Sequence, residues 1–241
     1  MTPPRLFITG TDTGVGKTRV ACALLTAWRQ RGLAVAAMKP VETGCAERNG
    51  QLWPEDAAAL QAAAARGADL DLICPFRYPA PASPETAAHL AHLPPPDLRS
   101  ITQALERISH QAALTLIEGA GGLLVPLSPD LLTIDLVQHL GATLLIVART
   151  ALGTLNHTLL TLEAARHRGL PLAGVLLNQP TPPAGPEESR VADLLAHHGR
   201  VRIFGTLPHA PILPPPSALA QIAEQHLDLD ALWQAVTAKE S

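Results

Sequence analysis

The segment Gly10–Thr18 constrains the fold of this chain more than any other part of the sequence. It reads GTDTGVGKT, directly follows the short apolar run Leu6–Thr9 and directly precedes the helix-like segment Thr18–Arg31. A glycine-rich turn that joins a strand to a helix and ends in Lys-Thr is typical of a phosphate-binding loop. In such a loop, backbone N–H groups and the positive end of the helix hold phosphate oxygens. We therefore predict a P-loop at residues 10–18.

Three residues of this loop have separate roles in the prediction. Gly16 allows the backbone to approach a phosphate closely, Lys17 places a positive charge near the β- and γ-phosphates, and the Thr18 hydroxyl can ligate Mg²⁺. The chain departs from the pattern GxxxxGK[ST], because Thr11 occupies the first glycine position and Gly10 lies one residue earlier. The order strand, GK-Thr, helix is nevertheless complete, so we expect a phosphate-bearing ligand and Mg²⁺ at this loop.

Short apolar runs alternate with helix-like segments along the rest of the chain. The predicted strands are Leu6–Thr9, Ala34–Met38, Leu114–Ile117, Leu144–Ala148, Ala173–Leu177 and Val201–Phe204. The predicted helices are Thr18–Arg31, Pro54–Arg66, Asp97–His110, Leu155–Arg168 and Glu187–His198. Near-continuous hydrophobicity is typical of strands that are covered on both faces. The sequence therefore predicts an α/β protein with the P-loop NTPase fold, a mostly parallel central sheet with helices on both faces.

The sequence shows no long linker and no internal repeat, so we expect one domain over residues 1–241. The polar, turn-rich stretch Gly44–Pro54 is predicted to be a loop over the carboxyl edge of the sheet. The segment Gln225–Ser241 spaces its apolar residues as one helical face, which predicts a packed C-terminal helix.

Composition excludes several classes of function. The net charge is −3, apolar residues make up 47% and aromatic residues 3% of the chain, which argues against nucleic-acid binding and against disorder. The longest apolar run, Leu140–Ala148, is much shorter than the roughly 20 residues of a membrane helix. Cys22, Cys45 and Cys74 are odd in number and form no CxxC pair, so neither a disulfide framework nor a zinc site is expected. A cytoplasmic protein without nucleic-acid or membrane partners is the expectation.

Two further segments place charged residues at the ends of predicted strands. Leu114–Ile117 is followed by Glu118 and by the glycine-rich stretch Gly119–Gly122. A carboxylate at the carboxyl end of such a strand is where a P-loop enzyme keeps a metal-directed acid. Lys39 follows the second predicted strand, at the edge where open α/β sheets bind ligands. Lys39 and Glu118 are therefore candidate site residues.

Six motifs in this order resemble the dethiobiotin synthetase family. They are GTDTGVGKT at 10–18, KPVETG at 39–44, SPE at 83–85, EGAGG at 118–122, LGTLNH at 152–157 and the strand end at Asn178. Their spacings are similar to those of the family over almost the whole chain. A generic P-loop protein has no reason to carry KPVxTG together with EGAGG, so the set is far more specific than any one of its members.

The resemblance implies a ligase of biotin biosynthesis that forms C–N bonds. Its reaction would be the ATP- and Mg²⁺-dependent ring closure of 7,8-diaminononanoate with CO₂ to dethiobiotin, ADP and phosphate. The path would run through a carbamate and a carbamic–phosphoric anhydride, with Lys17, Lys39 and Mg²⁺ reducing the repulsion between carbamate and triphosphate. A homodimer with the substrate site at the interface is also implied.

The resemblance further assigns residues to each ligand. Catalysis is implied for Lys39 and Lys17, and metal ligation for Thr18, Asp56 and Glu118. Nucleotide contacts are implied for Thr13, Gly14, Val15, Gly16, Lys17, Thr18, Arg19, Asp56, Glu118, Gly119, Ala120, Gly121, Asn178, Gln179, Pro208, His209 and Ala210. Contacts with the diamine are implied for Lys39, Thr43, Ser83, Pro84, Gly153, Thr154, Leu155 and Asn156. The last four begin a helix whose N–H groups would hold the substrate carboxylate for the partner subunit.

Two positions depart from the family pattern. Thr43 stands where the family typically has a serine, which keeps the hydroxyl and adds a methyl group. Gln179 follows Asn178, where the family often has Asn-Asp. Base selectivity therefore stays open at this point.

Other classes of protein remain as alternatives. A P-loop switch protein of the partitioning or division-site type would share the fold, but Asp12 occupies the position of its signature lysine, five residues before Lys17. A cobyrinate-type amide-forming synthetase usually carries a glutaminase domain, for which 241 residues leave no room. A regulatory domain with the same fold would have a degenerate site, whereas the lysines and carboxylates expected here are all present.

Overall fold

The computed structural model describes residues 3–182, 185, 188, 190–210 and 214–238. The first half of the chain forms β1 (Arg5–Gly10), α1 (Lys17–Gln30), β2 (Val35–Met38), β3 (Val41–Thr43), β4 (Ala46–Arg48), β5 (Gln51–Trp53), α2 (Glu55–Ala64), α3 (Leu70–Ile73), β6 (Phe76–Tyr78), α4 (Pro84–Ala91) and α5 (Leu98–Ile108). The second half forms β7 (Leu114–Gly122), β8 (Pro126–Ser128), β9 (Leu131–Leu132), α6 (Thr133–Leu140), β10 (Thr143–Arg149), α7 (Thr154–His167), β11 (Leu172–Asn178), α8 (Val191–Gly199), β12 (Ile203–Leu207), α9 (Pro216–His226) and α10 (Leu229–Thr237).

Six of these strands form one parallel sheet in the order β12-β11-β10-β1-β7-β2. β1 lies between β10 and β7. After β1 the chain forms β2 and β7 on one side of it, and then β10, β11 and β12 on the other. The carboxyl end of β1 is therefore a topological switch point, where open α/β sheets bind ligands. The predicted parallel sheet with helices on both faces is confirmed.

Alternate residues of the strands enter two hydrophobic clusters, one on each face of the sheet. Leu6, Ile8 and Leu145 pack with α1 and the C-terminal helices, whereas Phe7 and Leu144 pack on the opposite side. All five side chains are fully buried, and burying one such side chain contributes about 1.5–3 kcal/mol. Because both faces are covered, apolar residues are favoured at every position of the strands, which explains the continuous runs in the sequence.

Two strands differ in extent from their predicted ranges. β12 begins at Ile203 rather than at Val201 and ends at Leu207 rather than at Phe204. β7 does not end at Ile117 but continues through the glycines to Gly122, where a register shift lets Gly122 pair with Gly10 of β1. Glu118 therefore lies within a strand rather than just after one.

The stretch Gly44–Pro54 is not the loop that was predicted. β4 and β5 pair antiparallel as a hairpin, and its turn contains Asn49 and Gly50, both with positive φ. An Asn-Gly pair is a strong hairpin signal, because a type I′ turn needs positive φ at both central residues.

The packed helix predicted within Gln225–Ser241 is α10, whereas Gln225 and His226 are the last residues of α9. α9 ends at His226, and α10 starts at Leu229 after Asp228, whose carboxylate accepts a hydrogen bond from the Ala231 N–H at 3.1 Å. The break occurs because the backbone N–H of Asp228 donates to the Phe204 carbonyl instead of to its own helix. The last predicted residues, 239–241, lie outside the described part, as do 187 and 189 of the predicted helix Glu187–His198. That helix starts at Val191.

None of the helices in the described part of the chain is both long enough and apolar enough to cross a membrane.

Candidate active site

The loop between β1 and α1 has the geometry of a phosphate-binding turn. Gly16 is the N-cap of α1 with a left-handed backbone, φ 95° and ψ 29°, and no side chain caps this helix. A Cβ added to Gly16 would collide with Asn178 Nδ2. Because no side chain caps α1, the N–H groups of its first turn are free to bind an anion. Lys17 folds back over the loop, with Nζ 3.3 Å from the Asp12 carbonyl oxygen.

A cluster of charged side chains lies beside this loop. Lys39 Nζ donates to Asp56 Oδ2 at 2.8 Å and to Glu118 Oε1 at 2.5 Å. Thr18 Oγ1 donates to the same Glu118 oxygen at 2.9 Å. Lys39 and Glu118 are buried, whereas 43% of the Asp56 side chain is exposed. The end of β2, the start of α2, the strand β7 and the start of α1 thus bring one ammonium, two carboxylates and one hydroxyl together.

Each charge in this cluster sets the protonation of its neighbours. Burial by itself lowers the pKa of Lys39, but the charges of Glu118 and Asp56 outweigh it, so this pKa lies above its ordinary value. Burial raises the pKa of Asp56, yet the charge and hydrogen bond of Lys39 prevail, so this pKa is lowered. Burial also lowers the pKa of Lys17, and the charge of Glu118 offsets that effect only in part. The Lys39 ammonium and the Asp56 carboxylate are therefore both charged at neutral pH.

The cluster forms part of the wall of a cavity of about 580 Å³. Thirteen lining residues were predicted to be site residues: Thr13, Gly14, Gly16, Lys17, Thr18, Lys39, Thr43, Asp56, Ser83, Pro84, Glu118, Ala120 and Gly121. Five lining residues were missed: Val41, Glu42, Pro81, Ala82 and Val125. The sequence does contain a signal for Glu42 as a site residue: it is a charged residue within KPVETG, between Lys39 and Thr43.

The residues present fit a magnesium ion. Glu118 Oε2 is buried and has no hydrogen-bond partner in the described part of the chain, which leaves one unused acceptor oxygen on a residue that lines the cavity together with Thr18 and Asp56. No group of three or more His, Cys, Asp or Glu side chains among the described residues is arranged to hold a metal. Mg²⁺ in phosphate sites usually takes only one or two carboxylates and completes its shell with water and phosphate oxygens.

A second group of predicted residues lies beneath the loop and does not line the cavity. Asn178 is buried, its Nδ2 donates to the Val15 carbonyl at 2.9 Å, and its Oδ1 accepts from Arg19 Nη1 at 2.8 Å. Arg19 Nη2 also donates to the Pro208 carbonyl at 2.5 Å. The Gln179 N–H donates to the Leu207 carbonyl at the end of β12. Arg19 thus joins the P-loop helix to the ends of β11 and β12.

The remaining predicted nucleotide contacts lie apart from the cavity. His209 Nδ1 lies 3.0 Å from the Pro180 carbonyl oxygen, and Ala210 follows it with its side chain partly exposed. Gly119 packs against the ring of Phe7 inside the sheet. Contacts of these three residues with a nucleotide stay a prediction.

Gly153, Thr154, Leu155 and Asn156 lie at the start of α7 and do not line the cavity of Lys39 within one chain. Gly153 is the N-cap, in a left-handed conformation, and no side chain caps the helix. A separate cavity of about 440 Å³ lies between the P-loop and α7. Its lining residues include Asp12, Thr13, Leu124, His157, Leu160 and Thr161.

A parallel sheet with this loop at its switch point, and with a lysine and two carboxylates around the cavity beside it, defines a P-loop nucleotide-binding protein. A family model described as an AAA domain matches residues 4–238. The ATP-dependent dethiobiotin synthetase BioD of Anaeromyxobacter dehalogenans is 45% identical over 183 residues, which are 76% of this chain and 78% of that protein. The protein of the same name from Thermodesulfovibrio yellowstonii is 36% identical over 234 residues, 94% and 97% of the two chains. The chain belongs to the ATP-dependent dethiobiotin synthetase family.

Solved structures with low sequence identity share the fold. The MinC:MinD cell division protein complex from Aquifex aeolicus superimposes with a TM-score of 0.54 at 14% identity, over 99% of this chain and 98% of that one. A ParA family ATPase from Chlorobium tepidum gives a TM-score of 0.50 at 17% identity, over 99% and 100%. At these identities the likeness extends to the fold alone.

Proposed function

We propose that this chain is an ATP- and Mg²⁺-dependent dethiobiotin synthetase that closes the ring of 7,8-diaminononanoate with CO₂, the penultimate step of biotin biosynthesis. The observation that carries the proposal is the position of Lys39, held between Asp56 and Glu118 and sharing the Glu118 oxygen with Thr18 of the P-loop. Binding of a triphosphate at a P-loop uses the loop lysine, Mg²⁺ and a metal-directed carboxylate. A second, buried ammonium beside it suits a reaction in which a second anion must approach the triphosphate.

The chemistry balances in three steps. One amine of the substrate adds to CO₂ and loses a proton, which gives a carbamate. A carbamate oxygen attacks the γ-phosphorus and ADP leaves, which gives a carbamic–phosphoric anhydride. The second amine attacks the carbamoyl carbon and loses a proton, phosphate leaves and the ring closes. Little proton transfer is required of side chains, so catalysis consists mainly of positioning and charge stabilisation.

The proposed roles of the two lysines follow from their positions. Lys17, at the start of α1, faces the triphosphate and stabilises the charge that develops on it. Lys39 is buried and charged, so it can bind the carbamate and the transferring phosphoryl group together. To do so, Lys39 must exchange part of its contact with Asp56 or Glu118 for the substrate anions, which compete with these carboxylates for the same ammonium.

Thr18, Asp56 and Glu118 would hold Mg²⁺, which would neutralise charge on the phosphates. All three residues line the same cavity. The free oxygen of Glu118 supports this assignment. Thr43, Ser83 and Pro84 line the same cavity, and we assign them to contacts with the diamine.

The nucleotide base is assigned to the residues beneath the loop. Asn178 and Gln179 at the end of β11, and Pro208 to Ala210 after β12, would surround the base. The hydrogen bonds of Arg19 to Asn178 and to the Pro208 carbonyl support the assignment, because they hold both segments at one place. Val15 in the P-loop and Gly119 in β7 would also contact the nucleotide.

We also propose a homodimer with the substrate site at its interface. The start of α7 lies apart from the Lys39 cavity within one chain, so its N–H groups could reach a substrate carboxylate only in a partner subunit. Large apolar side chains are exposed in this region: Leu152 is 95%, Leu160 is 60% and Leu124 is 57% exposed. Exposed apolar surface of this kind is typical of a protein interface.

The proposed enzyme acts as one catalytic domain in the cytoplasm. Both hydrophobic clusters share one central sheet, which supports a single domain over residues 1–241. Cys22, Cys45 and Cys74 are free and buried, as expected in a reducing compartment.

The test is a phosphate-release assay with ATP, Mg²⁺ and bicarbonate, with and without 7,8-diaminononanoate, followed by mass spectrometry. We expect phosphate release that requires the diamine and a product heavier than the diamine by CO₂ minus water. Nucleotide hydrolysis that is indifferent to the diamine would contradict the proposal and favour a P-loop switch protein. Comparing ATP with CTP and GTP as donors tests the assigned base contacts.

A further inference from the structure

The Glu42 carboxylate lies in the wall of the cavity and has no role in the chemistry proposed above. Its residue is only 6% exposed. We propose that Glu42 is a positioning residue: it caps α2 from β3 and thereby fixes the position of Asp56 in the metal site. This inference rests on the metal role that the proposed function gives to Asp56.

The start of α2 depends on Glu42 for its hydrogen bonds. The N-cap of α2 is Pro54, and no side chain at that position caps the helix. Instead, Glu42 Oε1 accepts from the Asp56 N–H at 3.0 Å and Glu42 Oε2 accepts from the Ala57 N–H at 2.9 Å. The first N–H groups of a helix have no partner within the helix. A carboxylate there gains both hydrogen bonds and a favourable interaction with the helix dipole.

The cap acts directly on the residue that bears the proposed metal ligand. One of the two bonded N–H groups belongs to Asp56 itself, so Glu42 holds the backbone from which the Asp56 carboxylate extends. Glu42 is in turn held by β3, where it lies opposite Arg77 in the parallel pairing with β6. The Asp56 side chain is partly exposed and is fixed from the other side by Lys39. Without the cap, the position of Asp56 would depend on its ion pair with Lys39 alone. The substrate anions would compete for that same ammonium.

A carboxylate is required for this bridge. Glu42 accepts with both oxygens, whereas a glutamine has one acceptor oxygen and would turn its NH₂ group toward the second N–H. An aspartate keeps the charge but is shorter by one methylene and cannot span the same distance. Both substitutions should weaken the cap while keeping a polar side chain in the cavity wall.

The experiment measures metal binding directly. Mn²⁺ is titrated into enzyme loaded with ADP, and free Mn²⁺ is counted by electron paramagnetic resonance. We expect Glu42→Gln to weaken Mn²⁺ binding about 10- to 100-fold, as is usual when a group that orients a metal ligand is lost. The Mg²⁺ concentration for half-maximal turnover should rise by a similar factor, and kcat should recover at saturating Mg²⁺.

Glu55→Gln is the matched control. Glu55 lies in the same first turn of α2 and carries the same charge, but it is exposed and pairs with Arg48. Its Mn²⁺ affinity should equal that of the wild type. If Glu42→Gln does not fold, Glu42→Asp carries the test with the same expected weakening.

The outcomes separate this inference from the proposed function. Asp56→Asn must weaken Mn²⁺ binding if Asp56 is a metal ligand, and unchanged affinity in that variant would overturn its metal role. Where Asp56→Asn does weaken binding, wild-type Mn²⁺ affinity in the Glu42 variants would overturn the inference alone, even if these variants melt at a lower temperature, because the cap would then be purely structural. A wild type that binds no Mn²⁺ in the ADP complex would overturn the metal role of Asp56, and the inference with it.

Discussion

At the residue scale, the site is built around the ammonium of Lys39. Two of the three lysines in the chain, Lys17 and Lys39, line the main cavity, whereas most other cations are arginines. Lys39 is a compact charge that can change partners, and it is held by Asp56 and Glu118. The proposed mechanism requires the substrate anions to compete with them for this ammonium. An arginine would fill more space and bind carboxylates in a fixed planar geometry.

Replacing Lys39 should separate catalysis from nucleotide binding. We expect Lys39→Gln to reduce kcat on the order of 10²- to 10³-fold, the usual loss when one group that stabilises transition-state charge is removed. ATP affinity, measured by calorimetry, should change little, because the P-loop is intact. Lys17→Gln should instead weaken ATP binding. Unchanged turnover in Lys39→Gln would remove Lys39 from the mechanism.

The P-loop requires a glycine at position 16. We expect Gly16→Ala to lose ATP binding and to lower the free energy of unfolding, because φ is 95° and the new Cβ would collide with Asn178. Gly32→Ala is the control for strain, since φ there is 79° and a Cβ would meet nothing within 4 Å. It should cost about 1–2 kcal/mol and leave ATP binding unchanged. Calorimetry and urea unfolding of both variants give the comparison.

At the element scale, several helices differ in how their N-termini are capped. α4, α5 and α10 are capped by the side chains of Ser83, Asp97 and Asp228. The helices proposed to bind anions, α1 and α7, instead have left-handed glycine N-caps without a side-chain cap. A capping side chain would occupy the N–H groups that a phosphate or carboxylate needs. The first N–H groups of these two helices therefore have no capping side chain, as the proposed anion contacts require.

The cap of α5 makes stability depend on pH. Asp97 accepts from the Ser100 N–H at 2.8 Å, and that hydrogen bond lowers its pKa despite a small opposing effect of burial. Because the folded pKa is below the unfolded one, the stabilisation is present above the unfolded value and is lost as the pH falls through the folded value.

We expect Asp97→Ala to lower the free energy of unfolding by about 1 kcal/mol at pH 7. The difference from the wild type should shrink below about pH 4. Urea unfolding from pH 7 downward measures it, and Asp130→Ala, at an exposed turn between β8 and β9, is the control. A difference that stays constant with pH would mean that the carboxylate charge does not contribute to the cap.

At the scale of the whole molecule, the sheet order brings distant segments to one edge. Three neighbouring strands, β1, β7 and β2, carry the site motifs. The P-loop follows β1, the Lys39 motif follows β2 and the Glu118 motif forms the end of β7. The start of α7 follows β10 on the other side of β1. The region of α7 lies next to a second cavity rather than the first, which is why a partner subunit is proposed to complete the site.

The proposed dimer should fail when charge is added to its apolar surface. Leu160 borders the second cavity and is 60% exposed. We expect Leu160→Glu to weaken the dimer by tenfold or more, about 1.4 kcal/mol, and to reduce turnover, because a buried unpaired carboxylate is costly. Light scattering over a dilution series measures this. Leu90→Glu, equally exposed on α4, should leave the mass unchanged, and a monomeric, fully active wild type would contradict the dimer.

The sequence by itself determined the P-loop, the alternation of strands and helices, and the family. Each of these depends on residues that are close together in the chain, such as the nine residues of GTDTGVGKT, or on the order of motifs. The hairpin of β4 and β5 is also encoded locally, by the pair Asn49-Gly50 in its turn.

Only the tertiary structure decided how the site is assembled. The bond from Lys39 to Glu118 joins residues 79 positions apart, and the bond from Thr18 to Glu118 joins residues 100 positions apart. No local pattern encodes such distances, because they result from strand order and from burial on both faces of the sheet. The cap from Glu42 to the start of α2 is of the same kind: sequence shows the carboxylate, and only packing shows which N–H groups it meets.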